Sequence, residues 1–436
     1  MRRGRQLLLV SVALGAGLAL ALVAAYAKRA TCLIGLPDVG DPFDVAAFES
    51  GRVPDGRNAF AFYRRAMEGR GPRPQLPRPA LDAIPTLRWA EVDPALRAWA
   101  ESNREAIALF LEGSRRTESW ARQAEDESTF HYDRFYMEPL VQLAMLDAAR
   151  LEDAGDSGGA WERYRAILAM LAHLMQGGTA IERGVANQDS RMIPARIATW
   201  ASDRMTTAEL IRRAIEETIA LEPRPEWEAS SLKVEYLLAM RELDRPDGVL
   251  GQGDDRDFND RILGEPSPPG LIQWAHSVRR FLIREPERTR RILRLAFANW
   301  LDHVESPDRR GAKPVVRVRL ENEGRDSGLF LYAVEPSSEQ PLAPKALAEW
   351  MLSAPDLRRL EDRWHWGALR HAERRRHREI LIALAGELYR REKGRPHADE
   401  EELVGAYLDR LPDDSSELDD LAETIEEVSR VALPAP

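Results

Sequence analysis

Leu7 to Tyr26 form a run of 20 residues without a charged side chain, behind a short opening that carries Arg2, Arg3 and Arg5. At about 1.5 Å of rise per residue the run makes roughly 30 Å of helix, enough to cross the hydrocarbon of a bilayer. The sequence therefore predicts delivery to a membrane, with the lipid bilayer as the partner of residues 7–26. Arg2, Arg3, Arg5 and the α-amine precede the segment, against Lys28 and Arg29 after it. That excess keeps the N-terminus cytoplasmic and the main domain extracytoplasmic, as a single pass through the inner (cytoplasmic) membrane. The length of the run favours a retained signal anchor, residues 1–27. Ala25-Tyr26-Ala27 matches an A-x-A peptidase site, so a cleaved signal is the alternative. Cys32 is the only cysteine, which excludes an intrachain disulfide. Arg29-Ala30-Thr31 ahead of it lacks the apolar residue of a lipoprotein signal.

About 400 residues follow, room for roughly two or three domain-sized units. A formal charge of -10 and a pI near 5.5 give no general attraction to nucleic acid, which is not expected as a partner. Residues 28–58 carry Gly35, Pro37, Gly40, Pro42, Gly51, Pro54 and Gly56, which break any periodic segment and predict an extended lead-in, either a stalk or a surface-hugging strap. From 59 to 310 the pattern is helical. It starts at Asn58, with Ala59, Phe62, Tyr63 and Ala66 on one face, and pauses in a Pro-rich connector from Gly69 to Pro85. Leu96, Trp99, Ile107, Phe110 and Leu111 read as one apolar stripe. Leu140, Leu143, Ala144, Leu146 and Leu151 make a second, and Trp161, Tyr164, Ile167, Leu168 and Leu171 a third. Thr206-Thr207-Ala208-Glu209 reads as a capping box ahead of Leu210, Ile211, Ala214, Ile215 and Ile219. More helix is expected near 228–244 and 271–304.

The periodicity changes once. Val316, Val318 and Leu320 alternate with Arg317 and Arg319, residues 321–328 are turn-rich, and 329–334 are β-prone, which predicts a β-hairpin insertion over 311–336. A lone ribbon is marginal, so it must lie on the helices or on a partner. The last region, 345–436, is expected to be helical with an acidic tail. Its long helix begins near Ser353 and ends at Arg390-Arg391-Glu392-Lys393-Gly394-Arg395-Pro396, with cations in the last turn and Gly and Pro beyond. The expected fold class is mainly α: an irregular multi-helix array of αα-hairpins with one small β-hairpin, plus an N-terminal transmembrane helix.

Gly155-Asp156-Ser157-Gly158-Gly159 spells the nucleophile segment of chymotrypsin-like proteases, whose chemistry needs a His base and an orienting carboxylate. The only upstream His is His131 and both flanks are helical, so the segment reads as a Gly-rich turn between two antiparallel helices. Asp255, Asp257 and Asn259 are spaced like the start of a calcium loop, but Asp260 and Pro266 stand where Gly and Glu are needed. His365, His371 and His377 recur every six residues, about 240° apart on a helix, and cannot converge on one ion. His-Glu-x-x-His, a P-loop and a Rossmann fingerprint are all missing. No catalytic, cofactor-binding or metal-binding residue is assigned, and no cofactor is expected.

Two features lean toward binding. His371 to Glu379 is a polar interruption between the stripes Leu357, Leu360, Trp364 and Ile380, Leu381, Leu384, Leu388. Asp399 to Glu427 is strongly acidic, and folding it back would face Glu402 and its neighbours against Arg374, Arg375 and Arg378 in an antiparallel hairpin, with Leu403, Val404, Tyr407, Leu408 and Leu411 supplying burial. Residues 140–171, with Ala160 and Tyr164 four apart, resemble a single tetratricopeptide-type hairpin. The stretch Leu388 to Asp413 is similar to a pattern at the end of uncharacterised, single-pass, membrane-anchored exported bacterial proteins, and also resembles the type II secretion pseudopilins, whose processing site this chain lacks. Neither resemblance brings a catalytic residue. The chain is thus expected to be a membrane-tethered helical protein, an interaction or envelope-organising module with an envelope protein partner. The alternative is an exported hydrolase with dispersed acidic catalytic residues.

Overall fold

A computed structural model describes residues 23, 27, 33–51, 53–120, 137–179, 182–184, 187, 191–244, 285–306, 314–319, 329–333, 343–352, 366–411 and 426–429. They are mainly helical. In chain order the helices are α1 (Val45–Ser50), α2 (Ala59–Gly69), α3 (Arg78–Asp82), α4 (Pro94–Ser102), α5 (Arg104–Ser114), α6 (Glu138–Asp153), α7 (Ser157–Gly177), α8 (Ile193–Ser202), α9 (Ala208–Ile219), α10 (Pro225–Asp244), α11 (Glu285–Glu305), α12 (Pro344–Leu352) and α13 (Trp366–Lys393). The strands are β1 (Val316–Arg319), β2 (Leu329–Leu331) and β3 (Glu426–Ser429). Among the described residues no helix is long and apolar enough to cross a membrane; all of 7–26 except Val23 lies outside them.

Helix starts follow short polar side chains that take up the first free N–H groups. Asp44 accepts from Ala47, Asn58 from Phe60, Asp93 from Ala95, Asp156 from Gly159 and Thr207 from Leu210. The start at Asn58 agrees with the sequence. At the 206–209 box the cap is Thr207, one residue later than expected: Thr206 is fully buried and its hydroxyl donates to the Trp200 carbonyl at 2.8 Å. The stripe from Leu96 to Leu111 is likewise two helices. Buried Asn103 separates them, donating to the Trp99 carbonyl and accepting from the Gly71 N–H at 2.7 Å, which ties the Pro-rich connector to the helix junction.

The apolar interior is two clusters rather than one. The first gathers α2, α4 to α9, α13 and the segment around Leu403 and Leu408. Its centre is the pair α6–α7, joined by the turn at Gly155 (φ 76°), with Trp161 stacked on Trp200 of α8 at 5.1 Å. The second gathers the lead-in, α10, α11, α12 and the sheet. There the lead-in hugs the surface: Leu36 is buried, Phe43 meets Tyr236 edge-on at 5.4 Å, and Arg294 bonds Asp38 at 2.8 Å. The helical pattern of 59–310 therefore spans parts of both clusters, and α13 returns to the first.

The hairpin is present with Val316 opposite Leu331 and Val318 opposite Leu329. These four side chains are buried on one face, and α11 fixes the ribbon through Trp300 and Asn299, which bond the backbone of Phe330 and Tyr332. β3, from the acidic tail, pairs with β1 in parallel, so the sheet has three strands in the order β2-β1-β3 and that part of the tail is not helix.

The C-terminal fold-back forms, in a different shape from a helical hairpin. Gly394 (φ 68°) ends α13, a short 3-10 turn covers Glu400–Leu403, and Gly405 (φ 82°) turns the chain again. Glu400, not Glu402, pairs with Arg378; Glu402 pairs with Arg395 and accepts from the Tyr389 hydroxyl. Arg375 is exposed and pairs with none of the described residues of the fold-back. Leu403 and Leu408 are buried against α13. Leu408→Ala should cost about 2–5 kcal/mol and lower the melting temperature, whereas Glu400→Gln, at a half-exposed pair, should cost under ~1 kcal/mol. Equal small shifts in thermal unfolding would show that the tail does not seal the first core.

Candidate functional site

Among the described residues, two of the buried polar clusters beside α7 are closed and a third is not. Tyr63 donates to His173 Nδ1 at 2.7 Å, and His173 Nε2 lies 2.8 Å from the Arg116 carbonyl. A carbonyl only accepts, so Nε2 carries the proton and the ring is neutral; burial pushes its pKa down to about 4. Arg196 reaches both the Tyr164 hydroxyl and Glu152, with Tyr164 donating to Glu152 at 2.5 Å. Every member has a partner, and both clusters fasten α7 to its neighbours.

The third lies where the two cores meet, between the end of α7, α10 and α13. Gly178 follows α7, and its carbonyl accepts from the Ser231 hydroxyl of α10 at 2.6 Å. Thr179 and Glu182 then cap each other: the Thr179 N–H donates to the Glu182 carboxylate at 2.6 Å and the Glu182 N–H to the Thr179 hydroxyl at 3.2 Å. This box puts Arg183, 2 % exposed, into the interior. Its Nε and Nη2 meet the two oxygens of Glu373 on α13 at 3.0 and 2.5 Å, and its Nη1 lies 3.3 Å from Ser231. Glu228, Ser231 and Glu235 stand at spacings of three and four on α10, and both carboxylates act on Arg183. Burial opposes the Arg183 charge, but Glu373 and these two carboxylates outweigh it and hold its pKa above the usual value.

Two groups here are poised differently. Burial, aided by Glu235, pushes the Glu182 carboxyl up to about 7 against the hydrogen bonds from Thr179. Burial and the charges of Arg376 and Arg410 push His377 down to about 4, so that ring is neutral. Glu182 can therefore hold or release a proton near neutral pH, while Arg183 stays charged and His377 neutral. Among the described residues no group of three or more His, Cys, Asp or Glu is placed to hold a metal ion.

The sequence singled out His371 to Glu379 as a polar interruption, and Glu373 of that stretch is in the junction, with Arg376 one turn beyond it on α13. It did not single out Glu182, Arg183, Ser231 or Glu235. Thr179-Ala-Ile-Glu182 carried the same capping signal as 206–209, and the polar spacing on α10 was also available. Ser157 is buried in the first turn of α7, behind the Asp156 cap, with its carbonyl accepting from Trp200; the turn expected over 155–159 is confined to Gly155 and Asp156, and 157–159 open the helix. His131, His365, Cys32 and the loop from Asp255 to Pro266 lie outside the described residues. No family model, curated protein or solved structure matches the chain.

The Glu182 titration sets a sign. Its folded pKa, near 7, lies above the unfolded value near 4.3, so between those values the folded chain binds more protons and stability falls as pH rises, by roughly 1 kcal/mol per unit at most. His173 and His377 act oppositely over about pH 4 to 6.5, because their folded pKa values are depressed. The comparison is therefore with Glu182→Gln. The variant should gain on the wild type from pH 5 to pH 8 in denaturant unfolding, and a constant difference over that range would mean that Glu182 is not held protonated.

Proposed function

We propose that this chain is an extracytoplasmic helical protein, tethered to the inner membrane by residues 7–26, that acts by binding a partner in the cell envelope. The observation that carries the reading is the attachment of the lead-in to the second core. Leu36 is buried, the Arg291 guanidinium donates to its carbonyl at 3.0 Å, and Arg294 and Tyr236 both bond Asp41. Only six residues lie between Tyr26 and Leu33, a reach of at most about 25 Å fully extended. A body fastened there is held close to the bilayer rather than at the end of a free stalk.

A second reading, an exported hydrolase, draws its support from Glu182, a buried carboxyl able to exchange a proton near neutral pH. The two separate by experiment. Stoichiometric copurification of a protein from mild detergent supports the first. Turnover in a hydrolase panel that is lost in Glu182→Gln and kept in Ser157→Ala supports the second.

For the tether, the full-length chain should stay with membranes after carbonate washing, and protease added to intact spheroplasts should digest the body beyond Lys28. Protection of the body would reverse the orientation. A soluble mature form starting at Lys28 would remove the tether.

A further inference from the structure

Arg376 is 7 % exposed, its Nη2 is fully enclosed, and it makes no hydrogen bond or ion pair with any described residue. The chain treats its other deeply buried guanidiniums differently. Arg183 is closed by both oxygens of Glu373, and Arg196 by Tyr164 and Glu152. Arg376 stands three residues beyond Glu373 on α13, but the oxygens of Glu373 are already taken by Arg183. Glu379 is exposed and acts on Arg376 only through space. Burial outweighs the pull of both carboxylates and pushes the guanidinium down to about 10, which leaves it charged at neutral pH. An ion removed from water without hydrogen bonds is costly, so a folded chain that keeps one has a ligand for it or loses stability by it. Next to it, His377 Nε2 is also enclosed with no partner, and its neutral ring adds no competing charge.

We infer that Arg376 is the centre of a buried oxyanion site on α13, one turn beyond Glu373, which takes a carboxylate or phosphate group. The guanidinium is a planar fork whose parallel N–H donors match two oxygens of such a group. A cation would be repelled, and a neutral ligand would leave the charge uncompensated. The inference stands whether or not the chain is tethered, since it rests on α13 alone.

The test is thermal unfolding of the full chain in mild detergent, in 10 mM sodium phosphate, 10 mM sodium acetate or sodium chloride at matched ionic strength. The fitting anion should raise the melting temperature by about 2–4 °C over chloride, with the phosphate and acetate arms telling the two groups apart. Arg376→Leu should lose that response and melt no lower than wild type in chloride, because leucine replaces an unpaired charge. Arg376→Lys, which keeps the charge but not the fork, should respond more weakly. Equal melting of the wild type in all three salts would overturn the site. So would an undiminished response in the leucine variant or, should that variant not fold, in the lysine variant.

Discussion

One buried ion pair, Arg183 with Glu373, joins parts of the first core 190 residues apart, and the contact of Arg183 with Ser231 of α10 ties that pair to the second core and holds the two in register. Apolar burial is non-directional, and two clusters with helical faces could slide on one another at small cost. A two-pronged guanidinium–carboxylate contact tolerates no such slide, since both oxygens and both nitrogens must stay within hydrogen-bond distance. Such a pair is a poor source of net stability, because desolvating both charges offsets most of their attraction. Its role is geometric. Once formed, it requires α10 to place Ser231 beside it, α7 to end at Gly178, and Thr179 and Glu182 to cap each other so that Arg183 points inward.

The same junction holds part of the unbalanced chemistry among the described residues. The Tyr63–His173 and Glu152–Tyr164–Arg196 clusters satisfy every member and serve only to fasten helices. Around Arg183 the balance is incomplete: Glu182 sits near neutral pH between protonated and charged, and Arg376, one turn beyond Glu373 on α13, keeps an enclosed nitrogen without a partner. Buried polar networks with unfilled positions are costly unless something fills them. That cost makes this junction, rather than the better closed clusters, the place to look for the activity of the chain.

Local signals were legible and long-range ones were not. The cap at Asn58, the helix start at Thr207 to within one residue, the Gly155 turn and the β1–β2 ribbon could be read because each is set by residues within a few positions of one another. The division of the Leu96 to Leu111 stripe was hidden, because Asn103 interrupts it without Gly or Pro; its role depends on Gly71, 32 residues earlier. β3 was hidden for a similar reason: Glu426 and Glu427 do not look like strand, and their pairing with Val316 and Arg317 spans more than 100 residues of chain. At the junction, the polar interruption on α13 was visible while its partner was not. Nothing near Glu373 in sequence specifies that an arginine at 183 will meet it.

Calorimetric unfolding of Arg183→Met tests the role of the junction most directly, with Arg183→Met/Glu373→Leu beside it. Removing Arg183 alone strands the Glu373 carboxylate in the interior, at a cost of about 3–5 kcal/mol, and should lower and split the single transition expected of the wild type. The double variant should recover most of the melting temperature without fully restoring the joint unfolding of the two cores, since apolar contact replaces the charges but not their register. A single transition at the wild-type temperature in Arg183→Met would contradict the account, because the two cores would then be held together without this pair.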